Sequence, residues 1–458
     1  MTKPRRHTAA HLQRWDRRYV WHPFTQMQEW EQEPPLVIQS GKGAYVYDTD
    51  GRRYLDGVSS MWLTVHGHRH PGLDRALRQQ MNRIAHSTLL GLTSPPAVLL
   101  ARELVRIAPP GLTKVFYSDD GSTAMEVALK MALQYWEQRK PTLTPKNRFL
   151  HFNLSYHGDT AGAMSVGGID LFHERYRALR VPTLTAEPPY CYRCPLSLSY
   201  PSCRLRCLDP VAALLKARHR EIAAVVIEPL VQAASGMITA PRGYLSRIRE
   251  LCTRYHVLLI ADEVATGFGR TGRLFACEHE RITPDLMAVS KGLTGGYLPL
   301  AATLATDEIY RAFLGRYDEF KTFFHGHSYT GNALGCAVAL ANLAVFRNER
   351  TIRALQPKIK ALSQLLEPLN DWPHVGDIRQ QGFMVGIELV QDRATKVPYP
   401  LAERIGHRVA QEARTRGLLL RPLGNVIVLM PPLAITLSQL TRLVRIASAS
   451  IRTVTAAA

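Results

Sequence analysis

The sequence predicts an α/β protein with a mainly parallel sheet, and three observations predict the class. Apolar runs of strand length alternate with amphipathic helical stretches through the middle of the chain, the pattern of strands joined by helical crossovers. The 458 residues, at roughly 150 per domain, allow two or three domains. The two chain ends carry a different pattern, of hairpins and longer helices, and chain ends of this kind pack together as a smaller α+β domain beside the large one.

The elements follow in chain order. Residues 1–74 are expected to supply the N-terminal part of the small domain and a pocket segment. Here Gly43 to Tyr47 and Arg52 to Leu55 are joined by Asp48-Thr49-Asp50-Gly51, a hairpin signal because Asp-Gly tolerates the positive φ of a tight turn. Residues 75–335 are expected to form the large domain, with strands at Lys114 to Tyr117, Phe149 to Phe152, Ala223 to Glu228, Val257 to Asp262 and Leu286 to Ser290. Between them, Thr123 to Tyr135 and Tyr244 to Tyr255 place apolar residues at helical spacing. Residues 336–458 complete the small domain, with a helix of Ala337 to Arg347 character and a segment Gly382 to Val390. A helix follows from about Leu401 to Arg416, then Val426 to Met430 before Pro431 and Pro432.

With 46% hydrophobic and 21% charged residues the composition is that of a globular chain, which excludes a disordered tail or a disulfide miniprotein. The net charge of +19 raises a polyanionic partner, but the surplus is scattered. Its densest stretch, Lys3, Arg5, Arg6, Arg14, Arg17 and Arg18, lacks the interleaved aromatics of a single-strand binder. No apolar run reaches the roughly 18 to 20 residues of a membrane helix, so a cytoplasmic protein acting on small molecules is expected, with neither nucleic acid nor membrane as partner. Of the seven cysteines, Cys252, Cys277 and Cys336 read as reduced core thiols. Cys191, Cys194, Cys203 and Cys207 cluster as C-x2-C-x8-C-x3-C in an insertion at about 188–208. Four thiolates at that spacing can close a structural zinc site or hold an iron–sulfur cluster, zinc being the first choice, or they stay as thiols or a disulfide pair.

The chemistry concentrates at the ends of the apolar runs. Leu259-Ile260-Ala261-Asp262 ends a strand in a carboxylate, at the edge where open α/β sheets bind ligands. Lys291 ends the next run and delivers an amine to the same edge. An amine there can form a Schiff base with an aldehyde cofactor while the acid holds a pyridinium nitrogen protonated. Ser118-Asp119-Asp120-Gly121-Ser122-Thr123 leads into a helix, so free N–H groups and hydroxyls meet at a helix N-terminus, a ready anion site. Nitrogen, aldehyde and phosphate of pyridoxal phosphate each find a partner. Tyr156, after Phe149 to Phe152, can stack on a flat ring.

This set resembles the class III aminotransferases, pyridoxal-phosphate enzymes of fold type I, and the resemblance implies a sheet of the seven-stranded type. It comprises Tyr156-His157-Gly158, Glu228-Pro229, Asp262-Glu263-Val264 through Gly267-Phe268-Gly269-Arg270-Thr271-Gly272, and Ser290-Lys291-Gly292. Trp21-His22-Pro23-Phe24, Ser59-Ser60-Met61-Trp62, Phe324-His325-Gly326 and Leu429-Met430-Pro431-Pro432 extend the resemblance over nearly the whole chain. The resemblance implies that Lys291 forms the Schiff base in a ping-pong mechanism and shuttles the proton, and that Asp262 pairs with the ring nitrogen. It implies further that Tyr156 and Val264 flank the ring, that Glu228 belongs to the cofactor set, and that Gly121 and Ser122 bind the phosphate. The partner subunit's His327 and the partner subunit's Ser328 join them in a homodimer with active sites at the interface. Phe24, Met61, Trp62, Tyr156, Lys291, Gly326 and Arg421 are the implied substrate contacts, Arg421 forking onto a carboxylate of the keto substrate. Some members carry tyrosine at the position of Phe24 and tryptophan at that of Met61. The implied amino donor is S-adenosylmethionine, with lysine used by some relatives. The ω-amino acid:pyruvate aminotransferases and the glutamate-semialdehyde aminomutases of the same family share the lysine, aspartate and phosphate elements.

Overall fold

Apolar runs pair wherever they can bury both faces, and in the computed structural model, which describes residues 7–139 and 145–456, seven of them form one sheet. They are β1 (Leu112–Ser118), β2 (Arg148–Phe152), β3 (Thr183–Ala186), β4 (Ile222–Ile227), β5 (Leu258–Asp262), β6 (Leu286–Val289) and β7 (Ala301–Thr306). The order is β1-β7-β6-β5-β4-β2-β3. β3, β2, β4, β5 and β6 run parallel, and β7 is antiparallel to both its neighbours. Every residue of β4, β5 and β6 is buried, which is why these strands are continuous apolar runs without alternation. Asp262 pairs with Ala288, so the chain leaving β6 carries Lys291 to the edge at which Asp262 ends β5.

The expected strands lie within one or two residues of those formed, while β3 and β7 were not among them. The helix expected from Thr123 begins at Gly121 and runs to Gln138. Its start is set by a reciprocal cap in which Asp120 accepts from the Thr123 N–H while Thr123 accepts from the Asp120 N–H. The N-terminal hairpin pairs Tyr45–Asp48 with Arg53–Asp56 around Gly51, whose φ is 81°. Leu418–Leu419 adds in parallel to Arg53–Asp56, so both ends of the chain share one sheet. A second antiparallel sheet joins Val375–Gln381, Met384–Asp392 and Val426–Leu429. The helix expected from Leu401 begins at Ile405, after a short turn at Leu401–Glu403. Among the described residues no helix is long and apolar enough to cross a membrane. Lys3, Arg5 and Arg6 of the basic N-terminus lie outside the described residues.

The cysteine insertion docks on the second sheet through Glu388. This carboxylate accepts from the Tyr190 hydroxyl (2.6 Å), Arg193 Nε (2.8 Å) and Arg379 Nη1 (2.6 Å). Cys191, Cys194, Cys203 and Cys207 line one hollow of about 20 Å³, and all seven cysteines of the chain are free. Among the described residues no group of three or more His, Cys, Asp or Glu side chains is placed to hold a metal ion, so the expected zinc or iron–sulfur site is not shown at these four cysteines. Pro189, Pro195, Leu196, Leu198 and Pro241 share the lining of this hollow. Burial pushes the Cys191 thiol up, and that of Cys207 to about 11.

Candidate functional site

Five strand ends converge on one cavity of about 410 Å³, lined among others by Gly121, Ser122, Tyr156, Glu228, Asp262, Val264 and Lys291. Lys291 leaves β6 with φ 43° and is half-buried, its Nζ lying 4.9 Å from the centre of the Trp62 ring. Burial lowers its pKa, Asp262 and Glu228 oppose that, and Arg270 adds to the lowering. An amine so placed gives up its proton more readily than a surface lysine, as a nucleophile requires.

Asp262 is held from two sides. Its Oδ1 accepts the Val264 N–H (3.0 Å) and its Oδ2 the Nδ1–H of buried His157 (2.7 Å), which leaves lone pairs to face the cavity. His157 was part of the sequence motif, yet its grip on Asp262 was not foreseen. Tyr156 donates its hydroxyl to Asp159 Oδ2 (2.7 Å), which fixes the ring at the cavity wall.

Glu228 spends both oxygens on backbone, accepting the Tyr156 N–H (3.0 Å) and the Ala233 N–H (2.9 Å). It therefore shapes the Tyr156 segment. Burial pushes its pKa up from 4.5 to about 7. A carboxyl whose folded pKa is raised binds more protons folded than unfolded, so its contribution to stability is full below about pH 4.5 and falls as pH rises towards 7. Glu228→Gln should flatten that interval: urea melts of the cofactor-free protein from pH 5 to 7 should lose a slope worth up to about 3 kcal/mol. An unchanged slope would assign the pH dependence to another group.

At the other end of the cavity Gly121 and Ser122 open the helix Gly121–Gln138, whose first-turn N–H groups have no partner within the helix. A Cβ on Gly121 would meet Val264 Cγ1 at 2.6 Å, so only glycine allows this close approach. An amine, a fixed carboxylate and an anion site on one cavity fit the three ends of pyridoxal phosphate.

The remaining candidates are more dispersed. Trp62 lines the cavity, while Met61, 40% exposed, does not. Phe24 and Arg421 line a neighbouring hollow of about 580 Å³. Phe24 meets Phe172 edge-on at 5.2 Å, and Phe172 meets Tyr156 at 6.1 Å. His327 Nδ1 lies 2.8 Å from Oδ2 of Asp119, a cavity residue, and the Ser328 carbonyl accepts from His86 Nε2 (2.7 Å). Gly326 has open space where a Cβ would stand, on a segment with Phe320, Phe324 and Tyr329 exposed.

Two features beside the cavity were not foreseen, although their residues stand in the motifs. Ser59, Ser60, Met61 and Trp62 have φ of 51°, 47°, 72° and 72°, a left-handed turn without glycine. L-residues resist this conformation by roughly 1–2 kcal/mol each. The turn starts on Asp56, which accepts the Val58 and Ser60 N–H groups and the Ser60 hydroxyl, and on the Ser59 hydroxyl, which donates to the Met430 carbonyl. It ends on Arg270, 1% exposed, whose guanidinium reaches the carbonyls of Trp62, Thr64 and Pro431.

Comparison with known proteins agrees with this geometry. The family model described as aminotransferase class-III matches residues 26–451. The adenosylmethionine-8-amino-7-oxononanoate aminotransferase of Geobacter sulfurreducens is 56% identical over 446 residues, 97% of this chain and 98% of that protein. A crystal structure of the enzyme of that name from Methanocaldococcus jannaschii superposes with a TM-score of 0.92 at 45% identity, covering 97% of this chain and 99% of that one. An omega transaminase from Pseudomonas jessenii in complex with PMP superposes with a TM-score of 0.92 at 30% identity, covering 97% and 98%.

Proposed function

This chain belongs to the class-III aminotransferase family, and from that membership and its cavity we propose that it transfers an amino group to 8-amino-7-oxononanoate. The product is 7,8-diaminononanoate, a step of biotin synthesis, and the donor is S-adenosylmethionine. The observation that carries the reading is the Lys291 amine on the same cavity as the fixed Asp262 carboxylate, in a chain 56% identical to a relative named for this reaction.

When bound, pyridoxal phosphate supplies an aldehyde that exchanges amines and a ring that takes up the electron pair left when a proton departs. Lys291 holds the reacting amine and carries the proton. Asp262, oriented by His157 and the Val264 N–H, keeps a proton on the ring nitrogen. Tyr156 and Val264 bracket the ring, and the N-terminus at Gly121 and Ser122 receives the phosphate. Glu228 fixes the Tyr156 segment through its backbone. Phe24, Met61, Trp62 and Gly326 shape the substrate path, and Arg421 at its outer end meets the carboxylate of the keto substrate. The working form is a homodimer. The exposed Phe320, Phe324 and Tyr329 flank His327 and Ser328 on a face suited to a second copy, which carries those two residues to the partner's phosphate site. Seven free cysteines fit the reducing cytoplasm.

The test is an assay of the purified protein with 8-amino-7-oxononanoate, offering S-adenosylmethionine or lysine and following 7,8-diaminononanoate by mass spectrometry. Product with S-adenosylmethionine is the expected result. Product with lysine alone would reassign the donor. No product with either, while other amines still react, would leave an aminotransferase of the ω-amino acid:pyruvate type.

A further inference from the structure

Arg270 heads the largest fully buried side chains of the protein, and it has no carboxylate partner among the described residues. Its Nη1 donates to the Pro431 carbonyl at 2.8 Å and its Nη2 to the Thr64 and Trp62 carbonyls at 3.0 and 3.3 Å, while Nε is unpartnered. A buried cation held by carbonyls alone is an expensive way to fill a core. What it holds explains the choice, because these carbonyls belong to the exit of the left-handed turn and to the segment after Val426–Leu429 against which that turn packs. Asp56 and the Ser59 hydroxyl fix the start of the turn, the Leu63 and Thr64 N–H groups bond back to the Ser59 carbonyl, and the Arg270 side chain takes the exit carbonyls of Trp62 and Thr64. Beyond that end stands the Trp62 ring, 4.9 Å from the Lys291 amine.

We propose that Arg270 is a positioning residue that locks the Ser59–Trp62 turn in its left-handed form, so that Trp62 roofs the Lys291 amine and decides which amines reach it. The proposal rests on the reading of Lys291 as the reacting group. A planar fork spans three carbonyls at once, which the point charge of a lysine cannot do. Without the fork the turn relaxes towards ordinary negative φ and swings Trp62 away from the amine, while the lysine and the strand ends below stay in place. The loss is therefore one of selectivity between large and small amines, with the large amine losing most.

The experiment compares wild type, Arg270→Lys, Ser60→Gly and the double variant, each loaded with pyridoxal phosphate. The rate of amine exchange is followed by absorbance with S-adenosylmethionine and with isopropylamine. In R270K, kcat/KM for S-adenosylmethionine should fall about tenfold further than for isopropylamine, mainly through KM. Ser60→Gly removes the penalty for positive φ, so the double variant should regain part of the lost ratio. In the cofactor-free chain, chymotrypsin should cut after Trp62 faster in R270K than in wild type. Should R270K fail to fold, Arg270→Gln, which keeps two donors without the charge, is read in the same way. An equal loss for both amines with no rescue by S60G would make Arg270 a structural residue only and overturn the proposal. If wild type exchanges neither amine, the reaction itself is misassigned and the proposal falls with it. If wild type exchanges both and R270K keeps their ratio, the proposal alone falls.

Discussion

Lys291→Ala should abolish transamination while making the protein no less stable. The substitution removes both the attacking amine and the proton carrier, and the second role alone is worth about 10²- to 10⁴-fold. Turnover should fall by more than about 10⁴-fold even with saturating cofactor. Stability moves the other way. Burial depresses the Lys291 pKa, so at neutral pH the folded chain bears a penalty that the unfolded chain does not. Removing the amine lifts that penalty, and the cofactor-free variant should melt at the same temperature or higher, by a margin worth about 1 kcal/mol. A variant that keeps measurable turnover would remove Lys291 from the reaction, and one that melts earlier would show the amine to be structural.

Asp262→Asn should leave the fold intact and lower kcat by about 10²- to 10³-fold. The amide keeps the shape of the carboxylate and can still accept the Val264 N–H. It lacks the charge that holds a proton on the ring nitrogen, and breaking a buried charge pair costs about 3–5 kcal/mol. The change also takes away a group that raises the Lys291 pKa, so the pH profile of the reaction should shift to lower pH. Parallel measurement of kcat against pH in both proteins separates the two effects. A normal kcat with an unshifted profile would place Asp262 outside the chemistry.

Most of the sheet could be read from the amino acids because its central strands are buried on both faces and therefore apolar without interruption, as Ile222–Ile227 shows. The two strands that escaped, Thr183–Ala186 and Ala301–Thr306, mix threonine and alanine with a single leucine each, too short an apolar run to mark a strand without its neighbours. The pairing of Asp262 with Lys291 was legible because a strand end fixes where its last side chain stands. The grip of His157 on Asp262 was not, since it joins residues from β2 and β5 that only the sheet order brings together. Nor was the turn at Ser59–Trp62. With no glycine in it, its positive φ values are held by Asp56, just upstream, and by Arg270, far along the chain. Phe24 and Arg421 line a different hollow from Trp62, and edge-on aromatic packing through Phe172 links Phe24 to Tyr156.

The unbridged cysteines have a consequence for how the protein can be watched as it opens. Burial raises the thiols of Cys252 and Cys336 to about 12, so at pH 7 only about one in 10⁵ is ionised at any moment. Alkylating reagents attack the thiolate, and native molecules are therefore nearly silent to them. Cys191 is exposed and Cys207 is raised only to about 11, so the insertion should label first and the three core thiols only when the sheet itself comes apart. Mass-resolved alkylation thus reads two clocks in one chain, release of the insertion from Glu388 and loss of the core, without any added probe.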